Sequence, residues 1–241
     1  MALGLAIGIG LVLGALGAGG SILAVPALTI LLHFPPKEAV VTSLAMVATA
    51  ASFGAVGAFM RGTLPLAAGL VVGAAATVGA LIGGFAGARL ADATQLRLLG
   101  VVMLVAAALM IWRPAAHSTP GQRRPLAVML LLGFPLGILT GLIGVGGGFL
   151  IVPALVIVAR LPMREAAGAS LIVITMAALS GLAGYLGNTP LTPSFIVPFA
   201  MTAAVGTLAG GMVAHRLPQH RLQQVFATTL VVLGSYVLIR S

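Results

Sequence analysis

Apolar residues run along this 241-residue chain in ten stretches, and the short segments between them hold most of the polar residues. A helix needs about 20 apolar residues to cross the hydrocarbon core of a bilayer, and most stretches approach or exceed that length. Two stretches hold only about a dozen residues, and each follows a cluster of glycines. Because a dozen helical residues cover roughly half of the core, we predict two half-helices. The ten predicted elements are 2–17, 21–32, 38–60, 64–89, 94–112, 126–143, 149–159, 164–186, 192–215 and 221–239.

The pattern of the first half occurs again in the second half, 127 positions later. The two halves align without a gap from Gly14 and Gly141 to Arg89 and Arg216, and many glycines, prolines and serines match within that alignment. Chance does not produce such a register. We predict one transmembrane domain over residues 1–241, with homologous repeats at 1–112 and 126–241. The polar segment 113–125 is the predicted linker between them.

Composition places these helices in lipid. Hydrophobic residues make up 60% of the chain and charged residues only 6%, and the mean hydropathy is +1.21. A soluble domain could not present a polar surface with these residues. The net charge of +9 is spread over short connections, which indicates membrane topology and contact with anionic lipid. It forms no basic stripe of the kind that binds nucleic acid, so no nucleic-acid partner is predicted.

The inventory of reactive side chains argues against an enzyme. The chain has no cysteine, no Gly-x-Ser-x-Gly elbow and no cluster of carboxylates. Its four histidines fall at predicted helix ends or in loops, without the spacing of metal ligands. We therefore predict neither catalysis nor a cofactor nor a metal site, and transport remains as the function.

The glycine clusters are compatible with two arrangements of the repeats. If each cluster belongs to a segment that spans the membrane once, the two repeats are parallel. If each segment instead folds back as a re-entrant helical hairpin, the second repeat is inverted relative to the first. Inversion divides the 12 Lys and Arg residues 8 to 4 between the two faces, whereas parallel repeats divide them 7 to 5. Because positive charge concentrates on the cytoplasmic side, we predict inverted repeats with both termini outside.

Each glycine cluster has properties that suit an anion site. Glycine turns sharply and lets a ligand approach backbone N–H groups, and the half-helix that follows directs its positive dipole end toward that ligand. We predict two such cradles near the bilayer midplane, with serine hydroxyls nearby. That the glycines only permit close helix packing stays an alternative. The predicted substrate-binding residues are Gly17, Gly19, Gly20, Ser21, Ser43, Gly144, Gly146, Gly147, Gly148 and Ser170.

Three other residues near the clusters are candidates for coupling or gating. Glu38 and Glu165 occupy equivalent positions at the start of long helices, where a carboxylate favours a helix N-terminus. They are two of only three acids in the chain, so a proton-coupling role stays open. Phe149, next to the second cluster, is a candidate gate. Glycines at four-residue spacing, such as Gly79 and Gly83, form a smooth ridge that can pack within one chain or between two copies in a homodimer.

The duplicated motif resembles a known family. Each half reads Gly-x-Gly-Gly, then Leu-x-Val-Pro-Ala-Leu, then Pro-x-(Lys/Arg)-Glu-Ala and a Ser-Leu pair. In this it is similar to the sulfite exporter TauE/SafE family of membrane permeases, over about residues 10–241. The resemblance implies a multi-pass protein of the cytoplasmic membrane of a prokaryote. It also implies transport of a small sulfur-containing anion such as sulfite, a sulfonate, sulfoacetate or thiosulfate.

Two other functions stay open on the sequence alone. The same cradles suit a permease for a carboxylate or another small anion, moved by alternating access without catalysis. A membrane scaffold that packs a partner through its glycine ridges would need no substrate.

Overall fold

A computed structural model of the chain describes residues 2–17, 19–112, 126–143, 148–185, 193–216 and 218–240. These residues form helices and no strands, in agreement with the predicted all-α class. Nearly every helix lies within a few residues of its predicted bounds. The helices are α1 (Ala2–Leu16), α2 (Gly19–Pro26), α3 (Pro36–Met60), α4 (Leu66–Gly87), α5 (Asp92–Trp112), α6 (Leu126–Ile143), α7 (Gly148–Ile157), α8 (Met163–Tyr185), α9 (Pro193–Arg216) and α10 (Gln219–Arg240).

The two short helices behave differently at their equivalent prolines. After Pro26, α2 continues as one turn of π-helix over Ala27–Leu31. Proline has no N–H for the usual bond four residues back, and its ring crowds the preceding turn, which favours a wider turn at this point. In α7 the helix passes through Pro153 without such a change. Of the two equivalent prolines, only Pro26 is followed by an altered helix.

Both half-helices end in the same way at equivalent positions. His33 and Arg160, 127 residues apart, adopt left-handed backbone with φ of 54° and 57°. The next residue then donates its N–H to a carbonyl six positions back, from Phe34 to Leu28 and from Leu161 to Leu155. These bonds satisfy carbonyls at the helix end and turn the chain toward the long helix that follows. The shared geometry supports the duplication seen in the sequence.

The two halves of the chain interlock through glycine-lined contacts. Helix α1 packs along α9 of the other half, and α6 packs along α4 in the same way. At both contacts the space of a missing Cβ is taken by backbone of the facing helix, as at Gly83 against Ile138 and at Gly210 against Leu11. The small residues therefore bring helices of different halves into backbone contact. The ridge that contains Gly79 and Gly83 is used within the chain.

Equivalent helices of the two halves run in opposite directions. On the central pair α3 and α8, Gly54 lies against Leu171 and Leu44 lies near Gly181, so the numbering rises along one helix as it falls along the other. Helices α5 and α10 are also antiparallel, because Gly100 lies beside Leu238 and Gly234 beside Met103 and Leu104. The bundle thus has two ends. We call the end with Arg61 and Arg164 the arginine end and the end with Tyr185 the tyrosine end.

The outer surface of the bundle suits lipid. Five helices in the described part of the chain are long and apolar enough to cross a membrane, and large apolar side chains such as Met60 and Ile239 are more than 80% exposed. The basic residues of the described part of the chain divide between the two ends. Arg61, Arg160, Arg164, Arg216 and Arg221 lie at or near the arginine end, and Lys37, Arg89, Arg97 and Arg240 at the other. Inverted repeats require this grouping.

Candidate functional site

The first glycine cluster interrupts the helix between α1 and α2, as the sequence predicts. Gly17 has a φ of +71°, and a Cβ there would lie 2.5 Å from the Cα and the oxygen of Ala167. A side chain at this position would be both strained and without space. Ser170 holds the break from the neighbouring helix α8, because its hydroxyl donates to the Gly17 carbonyl at 2.7 Å. The structure thus brings together two of the predicted site residues.

Ser43, the equivalent of Ser170, has a different environment. Its side chain is fully buried, and no hydrogen-bond partner of its hydroxyl is found in the described part of the chain. The residue equivalent to Gly17 is Gly144, which lies outside the described residues. A buried hydroxyl without a partner is costly. A substrate-binding role for Ser43 stays a prediction.

The two serines lie near opposite ends of the α3–α8 pair. Ser43 is next to Leu44, which lies near Gly181 in the last turns of α8, whereas Ser170 lies in the first turns of α8. At 1.5 Å per residue, the two hydroxyls are roughly 15 Å apart along the helices. The two predicted serines therefore lie on opposite sides of the middle of this helix pair. That the two glycine clusters form cradles near the midplane stays a prediction.

The other predicted site residues are described only in part. Gly19, Gly20 and Ser21 form the first turn of α2, and Gly148 opens α7. Of these, only Gly148 has a described environment, and it is buried. Gly144, Gly146 and Gly147 lie outside the described residues, as does the side chain of Phe149. Their roles stay predictions.

A cavity opens beside the first glycine break, at the arginine end. Small residues of α1, α3 and α8 form much of its wall, and the space open to water-sized molecules is about 40 Å³. This is room for roughly three water molecules or a small oxyanion. Ala167, which contacts Gly17, joins the cavity to the break. The lining residues are Gly14, Ala15, Ala58, Arg61, Thr63, Met163, Arg164, Ala167, Gly168, Leu171, Gly211 and Ala214.

Arg61 brings positive charge into this cavity. It follows the last residue of α3, and its side chain folds back along that helix beside Gly57 and against Gly211 of α9. A Cβ at Gly211 would lie 2.5 Å from Arg61 Nη2, so glycine is what leaves room for the guanidinium. Burial lowers the pKa of the Arg61 guanidinium below its usual value. An arginine nonetheless stays charged at neutral pH.

At the tyrosine end, the equivalent place is filled. Tyr185 occupies the position equivalent to Ala58 and is fully buried. Its hydroxyl donates to the Gly141 carbonyl at 3.2 Å and accepts from Gln95 Nε2 at 2.7 Å. Gln95 also donates to the Leu142 carbonyl at 2.8 Å. Two side chains thus satisfy carbonyls in the last turn of α6, which would otherwise have no partner within the helix.

The two candidate coupling residues lie at helix starts. Glu38 is in the first turn of α3 and Glu165 in the first turn of α8, so they lie at opposite ends of the bundle. In both places the carboxylate is near the positive end of a helix dipole. A role in coupling stays a prediction for both.

Sequence reasoning missed three residues of this region. It interpreted Arg61 only as a topology charge, and it gave no role to Gln95 or Tyr185. Comparison of the repeats could have identified Arg61 and Tyr185, because the matched positions differ in size and charge: Tyr185 corresponds to Ala58, and Asn188 corresponds to Arg61. Such differences between matched positions mark where the two ends of the molecule are built differently.

Apolar spanning helices, a glycine break inside the bundle and a cavity lined by two arginines at one end are typical of a multi-pass membrane transporter. The chain belongs to the sulfite exporter TauE/SafE family, whose sequence profile matches residues 2–237. It is a transporter and not an enzyme.

Curated relatives support this assignment over the whole chain. A probable membrane transporter protein of Xylella fastidiosa (strain Temecula1) is 29% identical over 240 residues, covering 97% of this chain and 92% of the relative. A probable membrane transporter protein of Bacillus subtilis is 28% identical, covering 94% of each chain. One of Methanocaldococcus jannaschii is 26% identical, covering 96% of this chain and 93% of the relative. No solved structure matches the chain.

Proposed function

We propose that this protein moves a small sulfur-containing anion, such as sulfite, thiosulfate, sulfoacetate or another sulfonate, across the cytoplasmic membrane. The observation that carries the proposal is the glycine break at Gly17, held by Ser170 and adjoining a cavity lined by two arginines. Backbone amides at a helix start, hydroxyls and guanidinium groups all favour a negative ligand. The sulfur chemistry rests on the family, whose description names sulfite.

We infer alternating access between inverted repeats as the mechanism. Equivalent helices run antiparallel, so a pseudo-twofold axis would relate a site at one end to a matching site at the other. The Gly17 region adjoins a cavity at the arginine end, while Tyr185 fills the equivalent place at the tyrosine end. In this proposal the structure represents the state open to the arginine end. In the opposite state, the cavity would lie at the tyrosine end and the equivalent place at the arginine end would be filled.

A permease for carboxylates is the second candidate, because the cavity and the glycine break suit any small oxyanion. No observation in the described residues favours a scaffold without transport. A homodimer stays compatible with either permease.

Flux into proteoliposomes tests the proposed function. Purified protein should take up radiolabelled sulfite with saturation, and unlabelled thiosulfate or sulfoacetate should compete. Gly19→Trp and Gly146→Trp should abolish uptake in protein that still inserts, whereas Gly4→Ala, in open space on α1, should transport like the parent. Competition by acetate but not by sulfur anions would favour the carboxylate permease. Parental flux in both tryptophan variants would refute the proposal that the glycine clusters bind the substrate.

A further inference from the structure

Arg61 is a positive charge placed inward at the mouth of the cavity. A long basic side chain at a helix end normally extends outward to water or lipid headgroups, whereas this one folds back beside Gly57 and Gly211. None of the cavity-lining residues is acidic. Within the described residues, no hydrogen bond or ion pair involves the guanidinium. The charge is therefore half-buried without a counter-ion from the part of the chain that the structure describes.

A half-buried guanidinium without a counter-ion lowers the stability of the folded protein, and a bound oxyanion would supply the missing negative charge. A guanidinium presents five N–H donors in a rigid fork, which matches two oxygens of an oxyanion. Glycine and alanine form much of the cavity wall, of which Arg61 is also part. Arg164 lines the same cavity and adds a second positive charge to its wall. The cavity volume of about 40 Å³ fits an anion of a few heavy atoms.

We propose that Arg61 is the anion-selecting residue of an entry site, where an oxyanion binds before it reaches the Gly17 break. This inference rests on the proposed transport function and identifies the first substrate contact at the arginine end. Gly211 acts as a positioning residue, since the missing Cβ is what leaves room for the fork. Selection against cationic solutes follows from the charge of Arg61, to which Arg164 in the same wall adds.

Saturation kinetics of radiolabelled sulfite in proteoliposomes test the entry site. Arg61→Gln should raise KM by at least about tenfold, since hydrogen bonds to a charged group are lost, and Arg61→Lys should lie between parent and Arg61→Gln. Gly211→Ala should raise KM with little loss of stability, because its Cβ displaces only a flexible side chain. Arg221→Gln removes the same charge from an exposed residue at the same end of the bundle and should leave KM unchanged.

The outcomes separate this inference from the proposed function. A parental KM in Arg61→Gln, in a protein that transports sulfite, would overturn the entry site and leave transport standing. If the parent moves none of the sulfur anions, transport of them is refuted, and thermal stabilisation by sulfite over chloride in detergent then tests the site alone. Stabilisation of the parent but not of Arg61→Gln would support it, and equal shifts would overturn it.

A separate observation concerns the tyrosine end. Tyr185 and Gln95 fill the place that corresponds to the entry site and bind the carbonyls of Gly141 and Leu142, directly before the second glycine cluster. A Cβ at Gly87 would collide with the Tyr185 hydroxyl. Three helices, α5, α6 and α8, thus meet in one buried hydrogen-bonded contact.

We infer that the Tyr185–Gln95 contact is the latch that closes the tyrosine end. Its bonds join side chains of α5 and α8 to the end of α6, so opening of this end requires that they break. Loss of the tyrosine hydroxyl weakens the closed state, because it removes one donor to α6 and one acceptor of Gln95. The first repeat has no matching latch, since alanine stands at position 58.

Cysteine labelling tests the latch cleanly, because the chain contains no cysteine. Ala167 lines the entry site, and its equivalent Val40 is buried at the tyrosine end. Each is replaced by cysteine in a separate variant, Ala167→Cys and Val40→Cys. An impermeant maleimide should label Ala167→Cys from the arginine side much faster than it labels Val40→Cys from the other side. Adding Tyr185→Phe should raise Val40→Cys labelling severalfold, whereas Tyr236→Phe should not. Equal labelling of both cysteines, or no effect of Tyr185→Phe, would overturn the latch.

Discussion

At the residue scale, two equivalent serines have opposite hydrogen-bond states. Ser170 bonds the carbonyl of the glycine break, whereas the hydroxyl of Ser43 is buried without a partner among the described residues. The sequence predicts both serines as site residues because they recur in register. It could not predict their difference, which depends on contacts between residues that are 153 positions apart.

Replacement of each serine by alanine should therefore give different results. Ser170→Ala should destabilise the protein by about 1 kcal/mol, because it removes a buried hydrogen bond. Ser43→Ala should leave the melting temperature unchanged or raise it, because no bond within the described residues is lost, and it should still raise KM for sulfite. Thermal unfolding in detergent and flux measure the two effects.

Ser52→Ala is the matched control, because that hydroxyl bonds only the carbonyl of Ala48 in its own helix. It should change neither quantity by much. A loss of stability in Ser43→Ala equal to that in Ser170→Ala would show that Ser43 has a structural partner.

Ala58 is the residue that keeps the entry site open. Ala58→Tyr places there the side chain that fills the equivalent position in the second repeat, so we expect it to occupy the cavity and reduce sulfite uptake at least about tenfold. Uptake is compared only in protein that purifies as a folded species. Ala58→Ser is the small control and should transport like the parent. Parental flux in Ala58→Tyr would show that substrate does not pass this cavity.

At the element scale, glycine and proline positions predict the ends of most helices. The glycine break, the two short helices and the prolines before α3 and α4 all follow from local chemistry. The partners of each helix do not, because α1 packs on α9 and α6 on α4 across the whole length of the chain. For the same reason the sequence could not place Arg61, whose position depends on Gly211.

The glycine contacts between halves should tolerate no side chain. In Gly83→Ala, the added Cβ would collide with the carbonyl of Ile138, a backbone atom that cannot move away alone. We expect α4 and α6 to separate, at a cost of about 1–3 kcal/mol. Thermal unfolding of the purified protein measures the loss.

Gly8→Ala on α1 is the control for this substitution, because nothing lies within 4 Å of the added Cβ. It should be neutral or stabilise the protein slightly, since alanine favours helix more than glycine does. Equal losses in both variants would mean that helix propensity, and not the contact between the halves, sets the effect.

At the scale of the whole molecule, neither half carries its own packing partners. Each half expressed alone would expose the glycine faces of its first and fourth helices. We therefore expect residues 1–112 and 126–241, expressed separately, to be degraded or aggregated. Co-expression should restore a complex that co-purifies and transports. Recovery of stable protein from either half alone would show that the halves fold independently.

The distribution of basic residues predicts the orientation of the molecule. The arginine end should face the cytoplasm, so both termini should lie outside. Alkaline phosphatase fused after Ser241 should then be active, and green fluorescent protein at the same site should stay dark in a bacterial host. The reverse pair of results would place the arginine end outside and make the structure open to the exterior.

Because α1 packs on α9 and α4 packs on α6, these contacts can form only after the second half has been synthesised. Helix α4 enters the bilayer before α6 has been translated, and α1 must wait for α9. At 5–20 residues per second, the roughly 200 residues from the end of α1 to the end of α9 take roughly 10–40 s to emerge from the ribosome. During that interval the nascent chain holds unpaired glycine faces in lipid, where insertion factors and membrane proteases meet it before any native contact between the halves exists.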